Sequence, residues 1–334
     1  MGEVENKKKT ASEILIDRFL AEVDERGYMP WQKPYECYNS FNYFTMNTYR
    51  GINRLILPFE EYMTANQINA YNKEHNEDFR FQKGIKWYPV CFFKTESSDS
   101  SKEEAERALG DKFVEGKSDC LGYAEGWTWW FVNGKYTKSR KILRYYQVAD
   151  RTHFKNSKGE MLPSRIETGE VEITFSKPKD VFDAYVSREG ITVTQSADIP
   201  CYIPAMDIVQ LNPYTNGQGS WFSTAFHELA HSTGHRNRLN RVGITRDGVT
   251  ADTKKSVYAV EECIAEICAS LCCAECGVYD FETSGTREYD NSIAYVQGWK
   301  KRIQDFGKEF IYICSQADKA FNYIFEGIDE EVED

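Results

Sequence analysis

Three of the five histidines in this chain of 334 residues lie within the nine residues from 227 to 235. The run His227-Glu228-Leu229-Ala230-His231 has the pattern H-E-x-x-H. Residues four apart on a helix project from the same face, so the two imidazoles can bind one Zn²⁺. Bound zinc lowers the pKa of its water toward neutrality, and Glu228 can accept that water's proton and pass it to a leaving amine. The pattern predicts a zinc site with His227 and His231 as metal ligands and Glu228 as general base.

A catalytic zinc needs a third protein ligand. The nearest histidine is His235, but it directly follows Gly234, where the helix is predicted to end. In the metzincin pattern the third histidine falls two positions later, and Asn237 occupies that position here. We therefore expect His235 to lie at the surface or beside the site, although it stays a candidate ligand.

A better source of the third ligand is the next predicted helix, which contains Y-A-V-E-E-C-I-A-E over residues 258–266. Carboxylates in an otherwise apolar helix are costly to bury unless they are paired or bind a metal. Glu262 and Glu266 are four apart and share a face, so Glu262 is predicted to bind the metal while Glu266 orients a ligating histidine. Two alternatives stay open: Glu261 as the ligand, or an exposed acidic stripe with Glu261 outermost.

Apolar periodicity predicts the elements around these motifs. We expect helices over residues 10–27, 60–74, 178–187 and 256–276, with further helices over 290–326, and a capping box at Thr64 and Gln67. Strand patterns occur over 79–94, 127–132 and 141–149, with a strand pair over 191–211. The fold class is predicted to be α+β, with domains at 1–153 and 175–334, a linker at 154–174 and an insert at about 96–126.

The N-terminal half contains an aromatic stretch over residues 30–57 with Lys33, Arg50 and Arg54 among the rings. Flat rings can stack on unpaired bases, and cations can follow the phosphates of a single strand. The alternative is a core packed with tryptophan and tyrosine.

The C-terminal half resembles the zincin-like metallopeptidase domain of ArdC-type antirestriction proteins. H-E-L-A-H, then R-L-N-R, then E-E-x-x-A-E carry the resemblance, together with Y-I-P-A-M-D-I-V-Q-L-N-P at 202–213. In such gluzincin-like sites a downstream glutamate completes the zinc set, which implies Glu262. The resemblance covers roughly residues 175–325.

The N-terminal half is similar to the single-stranded-DNA-binding domain of the same family over roughly residues 10–150. The motifs are P-W-Q-K-P, Y-R-G-I-N-x-x-x-L, F-Q-K-G and L-R-Y-Y-Q-V-A-D. The resemblance implies an antirestriction protein of a mobile element, which shields incoming single-stranded DNA or cleaves a host protein bound to that DNA. The DNA-binding residues that it implies are Trp31, Lys33, Tyr49, Arg50, Asn53 and Lys83.

Composition limits these hypotheses. The formal charge of −11 excludes a wholly basic nucleic-acid coat, and it makes DNA binding salt-dependent. The sequence contains no apolar run long enough for a transmembrane helix and no signal-peptide pattern, so we expect a cytoplasmic protein with no membrane partner. Two rival functions stay open: a DNA-binding protein whose zinc is structural, and a zinc metalloprotease with no nucleic-acid role.

Overall fold

The computed structural model describes residues 9–30, 40–58, 61–114, 119–165, 178–195, 199–214, 219–278 and 286–327. It has the predicted mixture of helices and strands. The helices are α1 (Ala11–Arg26), α2 (Ile52–Ile56), α3 (Ala65–His75), α4 (Lys102–Leu109), α5 (Pro178–Glu189), α6 (Gly219–Thr233), α7 (Val242–Thr245), α8 (Lys254–Glu275), α9 (Thr286–Phe306) and α10 (Glu309–Phe325). The strands are β1 (Phe41–Asn42), β2 (Glu61–Met63), β3 (Arg80–Phe81), β4 (Tyr88–Ser100), β5 (Asp119–Ala124), β6 (Trp127–Val132), β7 (Lys135–Asp150), β8 (Phe154–Lys155), β9 (Thr192–Thr194), β10 (Cys201–Ile203) and β11 (Ile208–Gln210).

The described chain forms two compact units. The smaller is made mainly of Pro89–Gln147, and the larger contains Ser12–Tyr88 and the chain from Val148 onward. The chain passes from one unit to the other within β4 and within β7. No helix in the described ranges is long and apolar enough to cross a membrane.

In the larger unit, the N-terminal segment forms a small sheet and a helix around an apolar core. β1 runs parallel to β2, and β2 pairs antiparallel with the end of β7. The predicted helix at 60–74 begins only at Ala65, because Glu61–Met63 is a strand; the predicted capping box between Thr64 and Gln67 is present. The buried core consists of Tyr43, Met63, Ile68, Phe79, Ala149, Phe154 and Leu162.

Phe154 and Leu162 are fully buried in this core, although both fall inside the segment predicted as a linker, 154–174. The segment α1–α2 also packs on α10: Phe19 contacts Phe310 edge to face, and Arg54 pairs with Asp318 at 3.1 Å. Residues of both predicted domains therefore belong to one compact unit, because apolar and charged groups from each are buried together.

The C-terminal part of this unit places α6 between a small sheet and two helices. In the sheet, β11 lies between β10, which is antiparallel to it, and β9, which is parallel to it. α6 contacts β10 and β11, and it packs against α8 and α10. Its apolar face, which includes Phe226, Leu229 and Ala230, is completely buried. This packing fixes the orientation of the face that carries the two histidines.

In the smaller unit, β7 pairs with both β4 and β6, and β5 pairs with the other edge of β6. β5–β6 and β6–β7 are antiparallel. Helix α4 falls within the segment predicted as an insert and packs on this sheet. Ala105 and Leu109 of α4 are buried with Leu121 and Trp129.

Candidate metal centre

The histidines of the H-E-x-x-H motif lie on one side of α6, as their spacing predicts. The ring planes of His227 and His231 are at 84° with centroids 4.7 Å apart, and their Nε2 atoms are 3.1 Å apart. His231 is buried and His227 is partly exposed. Two ring nitrogens therefore point at one location at the edge of a cleft.

Glu262 on α8 completes a cluster with these histidines. Its carboxylate oxygens lie 3.6 Å from Nε2 of His227 and 3.5 Å from Nε2 of His231. Metal–ligand bonds of about 2.0 Å in a tetrahedral site place ligand atoms about 3.3 Å apart. The three donors, two imidazoles and one carboxylate, fit a divalent metal ion both in spacing and in chemistry. Hydrogen bonding with His227 is the main reason that the pKa of Glu262 falls to about 2.

Glu261, the alternative ligand, points elsewhere. Its Oε1 lies 3.3 Å from Nδ1 of His231, on the side of the ring away from the metal cluster. Arg241 donates to both carboxylate oxygens at distances of 2.6–3.3 Å, and both side chains are nearly inaccessible. Burial raises the pKa of Glu261, but hydrogen bonds from His231 and Arg241 outweigh it and the pKa is lowered. An ionised Glu261 fixes the ring orientation and tautomer of His231.

Two further features hold this buried carboxylate in place. Arg241 also donates to Oγ1 of Thr233 at 2.6 Å and to the backbone oxygen of Ala230 at 2.7 Å, both on α6. A Cβ on Gly243 would lie 2.5 Å from Cβ of Glu261, so only glycine allows α7 to approach α8 this closely. The ion pair between Arg241 and Glu261 thus joins α6, α7 and α8 around His231.

The predicted general base, Glu228, is 7 % exposed and lines a cleft of about 350 Å³ together with the metal cluster. Burial raises its pKa, and the attraction of His231 and His227 offsets that effect only in part. Strand β10 forms one wall of the cleft, with Tyr202 contributing a backbone hydrogen bond to Glu228. Glu228 is therefore placed to act on a molecule in the cleft.

Tyr258 lines the same cleft one helical turn before Glu262. Its side chain is 56 % exposed, and its hydroxyl hydrogen-bonds to the Glu262 carboxylate. Neither Tyr258 nor Arg241 was predicted from the sequence to belong to the site. Tyr258 belongs to the Y-A-V-E-E motif and Arg241 to the R-L-N-R run, so both lie in motifs that were noted. Their place in the site depends on where α8 lies, which the sequence does not show.

The other candidates lie outside the metal cluster. Nδ1 of His235 accepts a hydrogen bond from the backbone N–H of Asn237 at 3.3 Å, in the turn after α6. Burial lowers the pKa of His227, but hydrogen bonding with Glu262 and the nearby carboxylates, Glu266 among them, outweigh it and the pKa is raised. The carboxylate that contacts Nδ1 of His231 is Glu261. Glu261 therefore orients His231, and the orienting role of Glu266 stays a prediction that concerns His227.

The predicted DNA-binding residues fall into three groups. Tyr49 and Asn53 are buried, at 7 % and 9 % exposure. Arg50 and Lys83 are exposed. Trp31 and Lys33 lie outside the described residues.

A second charged cluster supports the end of α6. Arg238 bonds Asp207 with contacts of 2.6 and 2.9 Å and Glu189 at 2.8 Å, and it donates to the backbone oxygen of Ser232. Asp207 lies in the turn between β10 and β11, and Glu189 ends α5. Burial raises the pKa of Asp207, but the bonds from Arg238 and Tyr202 outweigh it and the pKa is lowered. This cluster ties the wall of the cleft to the histidine helix.

Two family models match the chain. Residues 9–119 match the N-terminal domain of anti-restriction factor ArdC, and residues 180–316 match a zincin-like metallopeptidase domain. A DNA primase TraC of Escherichia coli is 24 % identical over 98 % of this chain, and a second is 23 % identical over 95 %. The chain spans only 20 % and 27 % of the lengths of these two relatives.

Two crystal structures of the antirestriction protein ArdC from plasmid R388 have a similar fold. The metal-free structure has a TM-score of 0.58 and 23 % identity, covering 94 % of this chain and 96 % of that one. The Mn(II)-bound structure has a TM-score of 0.58 and 21 % identity, covering 97 % and 100 %. The similarity thus extends through both halves of the chain, and a zincin-like domain implies a metal.

Proposed function

We infer the function of this chain from the family to which it belongs, the ArdC-like antirestriction proteins with a zincin-like domain. The chain binds single-stranded DNA of a mobile element and protects it on entry into a host cell. Its C-terminal part hydrolyses peptide bonds with the help of Zn²⁺, and the substrate is a host protein associated with that DNA.

The residues assigned to the metal are His227, His231 and Glu262. When bound, Zn²⁺ supplies a water of lowered pKa and polarises the scissile carbonyl. Glu228 accepts the proton of the attacking water and transfers it to the nitrogen of the leaving amine. Glu261 holds His231 in the tautomer whose Nε2 is free to ligate, and Arg241 keeps Glu261 ionised.

The observation that carries the peptidase proposal is the convergence of three donors at 3.1–3.6 Å with Glu228 in the same open cleft. A structural zinc has four protein ligands and a closed site. Glu261 and His235, the other candidate ligands close to the cluster, make other contacts, which favours a catalytic site over a structural one.

The peptidase activity is tested with the metal-loaded full chain and β-casein, a loosely folded probe. Glu228→Gln should keep the metal and lower the cleavage rate by about 10²- to 10⁴-fold, the usual contribution of a general base. His235→Ala is the matched control, since it removes a nearby histidine that lies outside the cluster, and it should cleave like wild type. Equal cleavage by wild type and Glu228→Gln would contradict the assignment. Loading with Zn²⁺ or Mn²⁺ in parallel tests the choice of metal.

The DNA-binding part rests on the match to the ArdC N-terminal domain and on the exposure of Arg50 and Lys83. Fluorescence anisotropy with labelled single-stranded and duplex DNA of equal length tests it. Preferential binding of the single strand that weakens with salt is expected. Absence of binding at low salt would leave the rival function, a metalloprotease with no nucleic-acid role.

A further inference from the structure

The sheet of the smaller unit has two faces of different character. Its antiparallel registers pair Thr128 with Ser139 and Trp130 with Thr137, and paired residues point to the same side. Trp129, paired with Lys138, points to the opposite side, where α4 covers it. We call the side that carries Trp130 the open face and the side that carries Trp129 the covered face.

The same alternation of side chains assigns the residues of β4 and of the rest of β7 to one face or the other. Arg140 and Arg144 both contact Glu96, and Phe92 contacts Tyr146 with ring centroids 5.7 Å apart. The even-numbered residues of β7 therefore belong to the covered face, with Phe92 and Glu96. Their neighbours Phe93 and Tyr145 point to the open face.

The open face presents aromatic rings to solvent. Phe93 is 55 % exposed, Tyr145 40 % and Tyr123 67 %. Trp130 is half-buried, and its indole N–H donates to Oγ of Ser139 at 2.8 Å, which fixes the ring. Aromatic rings exposed on a sheet leave apolar surface in contact with water, and such rings are suited to stack on flat ligands.

Cations lie on the same face as these rings. Strand β7 carries five basic residues and no acidic residue from 135 to 144, and Lys135 and Lys141 fall on the open face. On β7 the covered-face cations are engaged: Arg140 and Arg144 with Glu96, and Lys138 over the rings of Trp127 and Trp129. On β4, beyond the residues that α4 covers, Lys94 and Phe92 of the same face are exposed. Within the described part of the chain, Lys135 and Lys141 make no ion pair and both are exposed. The whole chain carries −11, so this positive segment departs from the prevailing charge.

From this juxtaposition of exposed rings and unpaired lysines we propose that the open face of the β4–β7 sheet is a binding site for single-stranded nucleic acid. It rests on the proposed function, to which it adds a surface distinct from the sequence-predicted residues Tyr49, Arg50, Asn53 and Lys83. Bases stack on Phe93, Tyr145, Trp130 and Tyr123 while Lys135 and Lys141 approach the phosphates. Rings can stack on a base only when it is unpaired, so duplex DNA is not the ligand.

The test compares adjacent residues of the same chemistry that point to opposite faces. The full chain is titrated into a labelled oligothymidylate of about 15 nucleotides, within the site sizes of single-strand-binding folds. The double variant Phe93→Ala/Tyr145→Ala should bind at least about tenfold more weakly, since each lost stack costs about 1–3 kcal/mol. The matched double variant Phe92→Ala/Tyr146→Ala removes the covered-face pair and should bind within about twofold of wild type. Lys141→Ala should reduce the slope of log K against log salt by about 0.7.

A measurement on the unmodified chain guards against misfolded variants. Irradiation of a complex with 4-thiothymidine DNA should crosslink peptides that contain Phe93 or Tyr145. A parallel titration with an oligouridylate distinguishes RNA from DNA as the ligand. Affinity equal to that for the oligothymidylate shows that the face binds any single strand, and weaker affinity shows that the ligand is DNA. Equal affinity for duplex DNA would overturn the stacking site.

The outcomes also separate this inference from the proposed function. Suppose that the wild type binds the oligothymidylate, that the two double variants bind equally well, and that Arg50→Ala weakens binding. The open face is then not the site, but the proposed DNA binding stands. If wild type does not bind, both are overturned.

Discussion

The metal cleft and the open face of the β4–β7 sheet use charged groups in opposite ways. Around His231, Arg241 and Glu261 are 3 % and 2 % exposed and bonded to each other. On the open face, Phe93 and Tyr123 are more than half exposed, and Lys135 and Lys141 are exposed as well. A site that holds a metal requires side chains with one orientation, which burial and hydrogen bonding provide. A surface that meets a flexible polymer requires only accessible rings and charges.

The largest effect is expected from Arg241→Ala, which would leave Glu261 buried without its partner. Removing one member of a buried ion pair costs about 3–5 kcal/mol of unfolding free energy. The matched control is Arg236→Ala, since Arg236 forms an exposed pair with Asp247 and should contribute less than about 1 kcal/mol. Urea unfolding of the two variants measures the difference. Equal destabilisation would show that the buried ion pair does not support the cleft.

A second comparison lies within the Y-R-G-I-N motif. Tyr49 is buried and packs edge to face on Tyr62, so Tyr49→Ala should lower the unfolding free energy by about 3 kcal/mol. Arg50 is exposed, and Arg50→Ala should change the unfolding free energy by less than about 0.5 kcal/mol. Thermal and urea unfolding distinguish the two. A stable Tyr49→Ala chain with lost DNA binding would return Tyr49 to the role that its sequence motif predicts.

Glu261→Gln tests whether orientation matters to the metal. Loss of a carboxylate that hydrogen-bonds a ligating histidine typically weakens metal binding about 10- to 100-fold. The change keeps the shape of the side chain, and circular dichroism checks that the fold is kept. Competition against a zinc-sensitive dye gives the affinity, and an unchanged value would limit Glu261 to a role in packing.

The smallest effect concerns pH. The lowered pKa of Asp207 means that its ionised form stabilises the fold above its ordinary value of 3.8, and that this stability is lost as the pH falls through the folded-state pKa. Asp207→Asn should therefore cost on the order of 1 kcal/mol at pH 7 and less below pH 4. Asp183→Asn, at an exposed acid on α5, is the control and should show a smaller difference at either pH. A penalty for Asp207→Asn that does not change with pH would contradict the role of Arg238.

Local spacing explains what the sequence could predict. The i,i+4 histidines, the capping box at Thr64 and Gln67 and most helices depend on neighbours along the chain, and the structure has them. The choice between Glu261 and Glu262 depends on the rotation of α8 about its own axis, which α6 and Arg241 determine. The two faces of the β4–β7 sheet likewise depend on strand register and on the position of α4, which apolar periodicity does not encode.

Metal titration of the apo full chain tests the account most directly, by calorimetry with Zn²⁺ on wild type, Glu262→Ala and Glu266→Ala. The two variants remove the same charge from one helix, four residues apart. We predict one metal per chain for wild type and for Glu266→Ala, with similar affinities, and binding at least about 100-fold weaker for Glu262→Ala because a direct ligand is gone. Wild-type affinity in Glu262→Ala, or a loss confined to Glu266→Ala, would contradict the assignment of His227, His231 and Glu262 as the metal site.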